Sequence, residues 1–143
     1  MPRAHPSSRS FTLVELMVVV AILGLLATIV SVSVMNSVIK ARISLAKTDI
    51  RGIAEGAKLF RLEYHRYPRS IEELIEPPLK NNRRVPPYFE GSLIDPWDQP
   101  YHYEARAGKY EIWTLGAGGQ PGGEGEEGDI RWSELQQSRT RGG

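Results

Sequence analysis

Residues 10–34, SFTLVELMVVVAILGLLATIVSVSV, decide the fold of this chain. From Leu16 to Val34, 19 consecutive residues carry no charge, and the uncharged run continues until Lys40. A helix of this run is about 28 Å long at about 1.5 Å per residue, close to the roughly 30 Å of a bilayer's hydrocarbon core. We therefore predict a transmembrane helix at the start of the chain.

Glu15 lies at the N-terminal edge of the apolar run. A carboxylate near hydrocarbon costs about 2–3 kcal/mol, so such a group is normally paired or functional. A cleaved signal peptide has a shorter apolar region and a small-x-small exit, which this run lacks. A simple signal anchor fits the length but leaves Glu15 unexplained. We therefore expect a cation to pair with Glu15.

The basic leader and the following motif, Ser10-Phe11-Thr-Leu-Val-Glu15, resemble the amino terminus of type IV pilins and pseudopilins. The resemblance implies that a prepilin peptidase cuts between Ser10 and Phe11 and methylates the new amine. It also implies that the apolar helix becomes membrane anchor and filament core, with Glu15 paired to the Phe11 amine of a neighbouring subunit. The family cut follows Gly, and Ser10 predicts less efficient processing here.

The distribution of Lys and Arg around the apolar run favours a cytoplasmic C-terminus, because more of them follow the run than precede it. Long translocated domains escape this rule. The resemblance implies the opposite orientation, with the chain held in the bacterial inner membrane by a single span and its C-terminal domain in the periplasm. Lipid surrounds the helix before assembly.

Beyond Lys40, apolar residues recur at spacings of three and four, which predicts that the helix continues with one apolar stripe. We expect this stripe to pack on its own domain. The helix should run from about Thr12 to about residue 66, since Pro68 ends it. The stripe consists of Ile43, Ala46, Ile50, Ile53, Ala57, Phe60 and Tyr64.

The rest of the chain predicts short elements. Ser70-Ile-Glu-Glu73 is a capping-box pattern that favours a short helix over about 71–75. Alternation on both sides of Ala107-Gly108 predicts a β-hairpin over about 101–115, followed by a Gly-rich loop at 116–128 and a frayed tail at 133–143. The fold class is α+β and pilin-like: a long N-terminal helix packed on a small antiparallel sheet. The domain organisation is a leader at 1–10, a transmembrane and filament-core helix at 11–39, and a periplasmic domain at 40–143.

Several short motifs resemble, in order and spacing, the major pseudopilins of type II secretion: Tyr67-Pro68, Asp95-Pro96-Trp97, Leu115-Gly-Ala and Gly128-Asp-Ile with Trp132. The resemblance implies a subunit of a short periplasmic filament, the pseudopilus, that drives export of folded proteins across the outer membrane. Its implied partners are copies of itself, prepilin peptidase, minor pseudopilins and an inner-membrane assembly platform. Two alternatives stay open: another type IV pilus-like fibre, or a membrane-tethered binding module that never polymerises.

The resemblance further implies that the Gly-rich loop binds calcium through backbone carbonyls and carboxylates. Gly118 stands where the family has its first loop carboxylate, while Asp129 is retained. Either a nearby glutamate replaces the lost carboxylate, or the loop is a solvated acidic segment without a metal. The candidate ligands are Leu115, Gly118, Glu124, Glu126, Glu127 and Asp129.

Composition excludes several classes of function. A net charge of +1 is too small for a protein that mainly neutralises nucleic-acid phosphates, and we expect no nucleic-acid partner. Without Cys there is no disulfide and no thiolate nucleophile. The three His residues lie far apart in the sequence and match no metal-ligand spacing. We therefore expect no enzyme activity.

Overall fold

The computed structural model describes residues 11–141, apart from the side chains of residues 28–33. The main elements, in chain order, are α1 (Leu13–Tyr64), β1 (His102–Arg106), β2 (Lys109–Thr114), β3 (Ile130–Arg131) and α2 (Trp132–Arg141). Short 3-10 helices lie at Ile71–Leu74, Gly116–Gly118 and Gly125–Glu127. The chain divides into two compact units, Met1–Val38 and Ile39–Gly143.

The core of the second unit is built on the predicted stripe of α1. Its members Ala46, Ile50 and Phe60 are fully buried, and Ile43 and Tyr64 pack at its margins. The prediction that the stripe packs on its own domain is confirmed. Ile53, Ala54 and Ala57 complete the helix side of the core, and Ile71, Leu74, Tyr101, Ile112 and Ile130 close it from the other side.

The sheet is antiparallel and three-stranded, in the order β1-β2-β3. Arg106 pairs with Lys109 across a two-residue turn in which Ala107 and Gly108 both have positive φ, at 49° and 76°. Such a turn matches the twist of the flanking strands. β3 is only two residues long and pairs with the end of β2, with Thr114 opposite Ile130. This pairing returns the chain from the Gly-rich loop to the core.

α1 ends two residues before the predicted bound. His65 has a φ of 56°, and its N–H donates to the Arg61 carbonyl at 2.9 Å. A residue in this left-handed conformation ends a helix at its C-terminus. The stop is therefore made by His65, upstream of Pro68.

The capping box predicted at Ser70 does not form. Ser70 precedes the 3-10 helix, but its side chain makes no capping hydrogen bond. Glu73 instead accepts the N–H of Arg69 at 3.0 Å and pairs with Arg66 at 2.8 Å. Glu73 is partly buried, which opposes its charged form, but Arg66 and the N–H of Arg69 outweigh burial and lower its pKa.

The prediction of a frayed tail is wrong for residues 133–141, which belong to α2 (Trp132–Arg141). The Glu111 carboxylate accepts the N–H of Ser133 at 3.0 Å, which places a negative charge at the start of this helix. Trp132 and Leu135 pack against the core. Nζ of Lys58 in α1 lies 5.3 Å from the Trp132 ring centroid, and the Tyr110 ring stacks on the indole with the two centroids 6.5 Å apart.

Within the described part of the chain, no helix is both long and apolar enough to cross a membrane. The side chains of residues 28–33, inside the predicted span, lie outside that description.

Candidate functional site

The start of α1 carries the residues that the sequence predicts for assembly. Thr12 caps the helix: its Oγ1 accepts the N–H of Glu15 at 3.2 Å, and its carbonyl accepts the N–H of Leu16 at 3.2 Å. Glu15 therefore lies in the first turn, where unpaired N–H groups and the helix dipole favour a negative charge. The Thr-x-x-Glu spacing is a sequence signal for this helix start, and hydrophobicity alone does not reveal it.

The Glu15 side chain is exposed, and among residues 11–141 no cation pairs with it. Phe11, four positions upstream, is 78% exposed. Ser10 and the rest of the predicted leader, residues 1–10, lie outside the described residues. Cleavage after Ser10 and pairing of Glu15 with a Phe11 amine therefore stay predictions.

Large apolar side chains remain exposed along the first unit of the chain. Soluble monomers rarely expose a continuous apolar surface of this extent, which marks a site of contact with a membrane or another protein. The exposed large apolar residues described in the first unit are Phe11, Leu13, Val14, Leu16, Met17, Val18, Val19, Val20, Ile22, Leu23, Leu25, Leu26, Val34, Met35 and Val38.

The Gly-rich loop of the second unit begins with a glycine that no other residue could replace without strain. Gly116 has a φ of 60°, and a Cβ there would lie 2.5 Å from the Glu126 carbonyl oxygen and 2.7 Å from that of Gly128. Gly123, with a φ of 89°, meets the Glu127 carbonyl in the same way at 2.5 Å. These glycines let the two ends of the loop approach each other closely.

Two carboxylates of the loop have defined partners. Glu126 Oε1 accepts the indole N–H of Trp97 at 2.9 Å and a guanidinium N–H of Arg42 at 3.4 Å. Asp129 accepts the N–H of Gly122 at 3.1 Å through Oδ1, and Arg131 at 3.0 Å through Oδ2. Both carboxylates therefore hold donors that the chain itself supplies.

The other predicted calcium ligands have neighbouring backbones but do not gather their side chains at one point. Glu124 and Glu127 are exposed, Leu115 is half-buried, and Gly118 offers no side-chain oxygen. Among the described residues, no group of three or more acidic or imidazole side chains is placed to hold a metal. Calcium takes six to eight oxygens, including backbone carbonyls, and its binding to this loop stays a prediction.

Asp95 fixes the segment that meets the loop. It is 4% exposed, and its Oδ1 accepts the N–H groups of Trp97 and Gln99, both at 2.9 Å. Its Oδ2 accepts the hydroxyl of Thr114, and that hydroxyl oxygen accepts the N–H of Gly116 at 3.1 Å. Through this series of hydrogen bonds, Asp95 positions the first residue of the loop and the Trp97 indole that contacts Glu126.

Comparison with known proteins shows the family to which this chain belongs. A family model described as type II secretion system protein G matches residues 33–133. The chain belongs to the type II secretion protein G family. A second model, the prokaryotic N-terminal methylation motif, matches residues 6–31, which include Ser10, Phe11 and Glu15.

Individual members of the protein G family agree with this assignment. The type II secretion system core protein G of Pseudomonas aeruginosa is 37% identical, over 84% of this chain and 91% of its own length. The core protein G of Vibrio cholerae is 38% identical, over 84% of this chain and 88% of its own length. The core protein G of Escherichia coli is 33% identical, over 90% of this chain and 92% of its own length. The resemblance read from the sequence is confirmed.

A solved structure agrees on the fold. The major pseudopilin from the type 2 secretion system of enterohaemorrhagic Escherichia coli matches with a TM-score of 0.52 at 23% identity, covering 71% of this chain and 94% of that one. The α+β, pilin-like fold class predicted from the sequence is confirmed. The sequence did not predict the contacts of Arg42 and Arg131. Arg42 lies 84 positions from Glu126 in the chain, and Arg131, two positions from Asp129, shows no recognisable spacing.

Proposed function

We propose that this chain is the structural subunit of a type II secretion pseudopilus. Membership of the protein G family supports this proposal. The observation that carries it is the exposed apolar surface of the first unit, which contrasts with a second unit whose own core is closed. In the proposal, lipid covers this surface before assembly, and the apolar helices of other copies cover it in the filament.

The proposed subunit is held in the inner membrane by the helix over residues 11–39, with residues 40–143 in the periplasm. Prepilin peptidase removes residues 1–10 and methylates the amine of Phe11. The match of the N-terminal methylation motif to residues 6–31 supports this maturation. Polymerisation involves minor pseudopilins and an inner-membrane assembly platform. The proposal includes no catalytic role.

Glu15 has a defined task in this proposal. Its carboxylate is exposed, and among the described residues no cation pairs with it. In the filament it becomes buried among apolar helices, where an unpaired charge is strongly unfavourable. The Phe11 amine of the next subunit satisfies it, and the pair fixes the axial register of the two helices.

The test replaces Glu15 in the full chain, produced in cells with type II secretion machinery that lack their own copy. Glu15→Ala should be processed and retained in the membrane at the normal level, because membrane insertion does not need the carboxylate. Removing one partner of a buried pair costs about 3–5 kcal/mol, so cross-linked oligomers and secretion should fall at least about ten-fold. Glu15→Asp, one methylene shorter, should be partly defective.

Glu55→Ala is the matched control, since it removes an exposed carboxylate from the same helix outside the apolar run. It should assemble and secrete like wild type. If Glu15→Ala assembles as well as Glu55→Ala, Glu15 is only an anchor residue at the membrane interface. The membrane-tethered binding module is then the better interpretation.

A further inference from the structure

We infer that the Gly-rich loop of this chain is closed by the chain's own cations and N–H donors instead of a bound calcium ion. Two carboxylates of the loop region, Glu126 and Asp129, are each satisfied by a guanidinium and by one neutral donor. The inference concerns the folded second unit and stands whether or not the chain polymerises.

Glu126 fastens the loop to two other segments. A single oxygen, Oε1, lies 2.9 Å from Trp97 Nε1 and 3.4 Å from Arg42 Nη1. Trp97 belongs to the turn that Asp95 fixes, and Arg42 belongs to α1. One carboxylate oxygen thus joins the loop, the turn and the helix, and a metal ion at Oε1 would compete with both donors.

Asp129 is satisfied within the loop and by the strand that follows it. Oδ1 accepts the N–H of Gly122 at 3.1 Å and joins two loop residues that lie seven positions apart. Oδ2 lies 3.0 Å from Arg131, whose guanidinium also lies 5.3 Å from the Trp113 ring centroid. A guanidinium fixed beside this carboxylate repels a divalent cation from the same oxygen.

The other oxygens of the loop do not supply the ligands that calcium would still need. Gly118 supplies no carboxylate, and a Cβ there would lie 3.0 Å from the Glu127 carbonyl oxygen. The carbonyl oxygens of Glu126 and Gly128 lie against the backbone of Gly116. Calcium requires six to eight oxygens with enough negative charge to replace its hydration shell. Of the four carboxylates at residues 124–129, those of Glu126 and Asp129 are each paired with an arginine, and those of Glu124 and Glu127 are exposed.

The inference is tested on the full chain in detergent, by thermal unfolding with millimolar CaCl2 or with EGTA. We expect the wild-type Tm to differ by less than about 1 °C between the two, because a ligand that does not bind the folded state does not raise Tm. Tb³⁺, excited through Trp97 beside Glu126, should give no sensitised emission that CaCl2 displaces. Arg131→Gln should lower Tm by several degrees in either solution, whereas Arg84→Gln, in an exposed loop, should not.

A rise of several degrees in wild-type Tm with CaCl2, absent in Asp129→Asn, would overturn the inference. So would Tb³⁺ emission from wild type that CaCl2 displaces and Asp129→Asn abolishes. Both readouts use the wild-type chain, so the inference remains testable even if Arg131→Gln does not fold.

Discussion

At the scale of single residues, the carboxylates of this chain differ in whether the fold supplies their hydrogen-bond partners. Asp95 is buried and accepts three hydrogen bonds, and Glu126 and Asp129 hold arginines. Glu15 is exposed at the start of an apolar helix. Satisfied carboxylates stabilise the folded unit, whereas a conspicuous exposed one is suited to a partner outside the chain.

Asp95 should be the most sensitive of these carboxylates to loss of charge. Asp95→Asn replaces one acceptor oxygen with an NH2 group that faces the Thr114 hydroxyl or the N–H groups of Trp97 and Gln99. Leaving a buried group without its partner should lower the free energy of unfolding by about 2 kcal/mol. Urea unfolding of the full chain in detergent measures this change.

The control for Asp95→Asn is the same change at Asp98, three residues along and exposed. Asp98 has a φ of 63°, a conformation that Asn also tolerates, so Asp98→Asn should change the free energy of unfolding by no more than about 0.5 kcal/mol. Equal effects of the two substitutions would contradict the role assigned to Asp95.

At the scale of elements, α1 is joined to the segment before β1 through a tyrosine. Tyr101 is 4% exposed, and its hydroxyl donates to Asp49 Oδ2 of α1 at 2.9 Å. Burial, together with the Asp49 carboxylate, raises the pKa of Tyr101 well above its ordinary value. A phenol whose pKa is raised by folding stabilises the fold below the ordinary pKa of about 10, and this contribution is lost as pH rises above it.

Tyr101→Phe should therefore destabilise the chain by about 1.5–2 kcal/mol at pH 7.5, since it removes a hydrogen bond to a charged group. It should also make the loss of stability between about pH 9.5 and 11 less steep than in wild type. A double-mutant cycle with Asp49→Ala, measured by urea unfolding, isolates the pair and should give a coupling of about 1–2 kcal/mol. Zero coupling, or an unchanged alkaline slope, would show that the pair does not join the two elements.

How far the sequence predicts an element depends on how much of its stability is local. The regular spacing of apolar residues predicted α1 and the face that it buries, and the alternation around Ala107-Gly108 predicted the hairpin. β3 has only two residues, too few to show a periodic pattern in the sequence. It forms because its residues pair with the end of β2. α2 is mostly polar and depends on the Glu111 contact at its start and on packing of Trp132 and Leu135.

The candidate site was predicted unevenly for the same reason. Phe11 and Glu15 stand out because a charge at the edge of an apolar run is visible in the sequence. The contact of Arg42 with Glu126 joins residues 84 positions apart and has no local signal. The sequence could therefore place the acidic loop but not show that Glu126 and Asp129 already have partners.

At the scale of the whole molecule, the two units differ in how completely they satisfy their own side chains. Among the described residues, no buried side-chain nitrogen or oxygen lacks a hydrogen-bond partner. The second unit has a closed core, whereas the first unit presents a row of exposed large apolar residues. Burial of such residues contributes about 1.5–3 kcal/mol each, which is a large driving force for covering them with lipid or with other copies of the chain.

The central claim is that copies of this chain, matured at Phe11, polymerise through the apolar segment. The most direct measurement is electron microscopy of fibres sheared from cells that overproduce the chain with type II secretion assembly machinery, combined with the intact mass of the fibre subunit. We predict fibres whose subunit begins at an N-methylated Phe11, and none from Glu15→Ala. Processed and membrane-held chain that yields no fibres, or fibres built from the full 143-residue chain, would contradict the account.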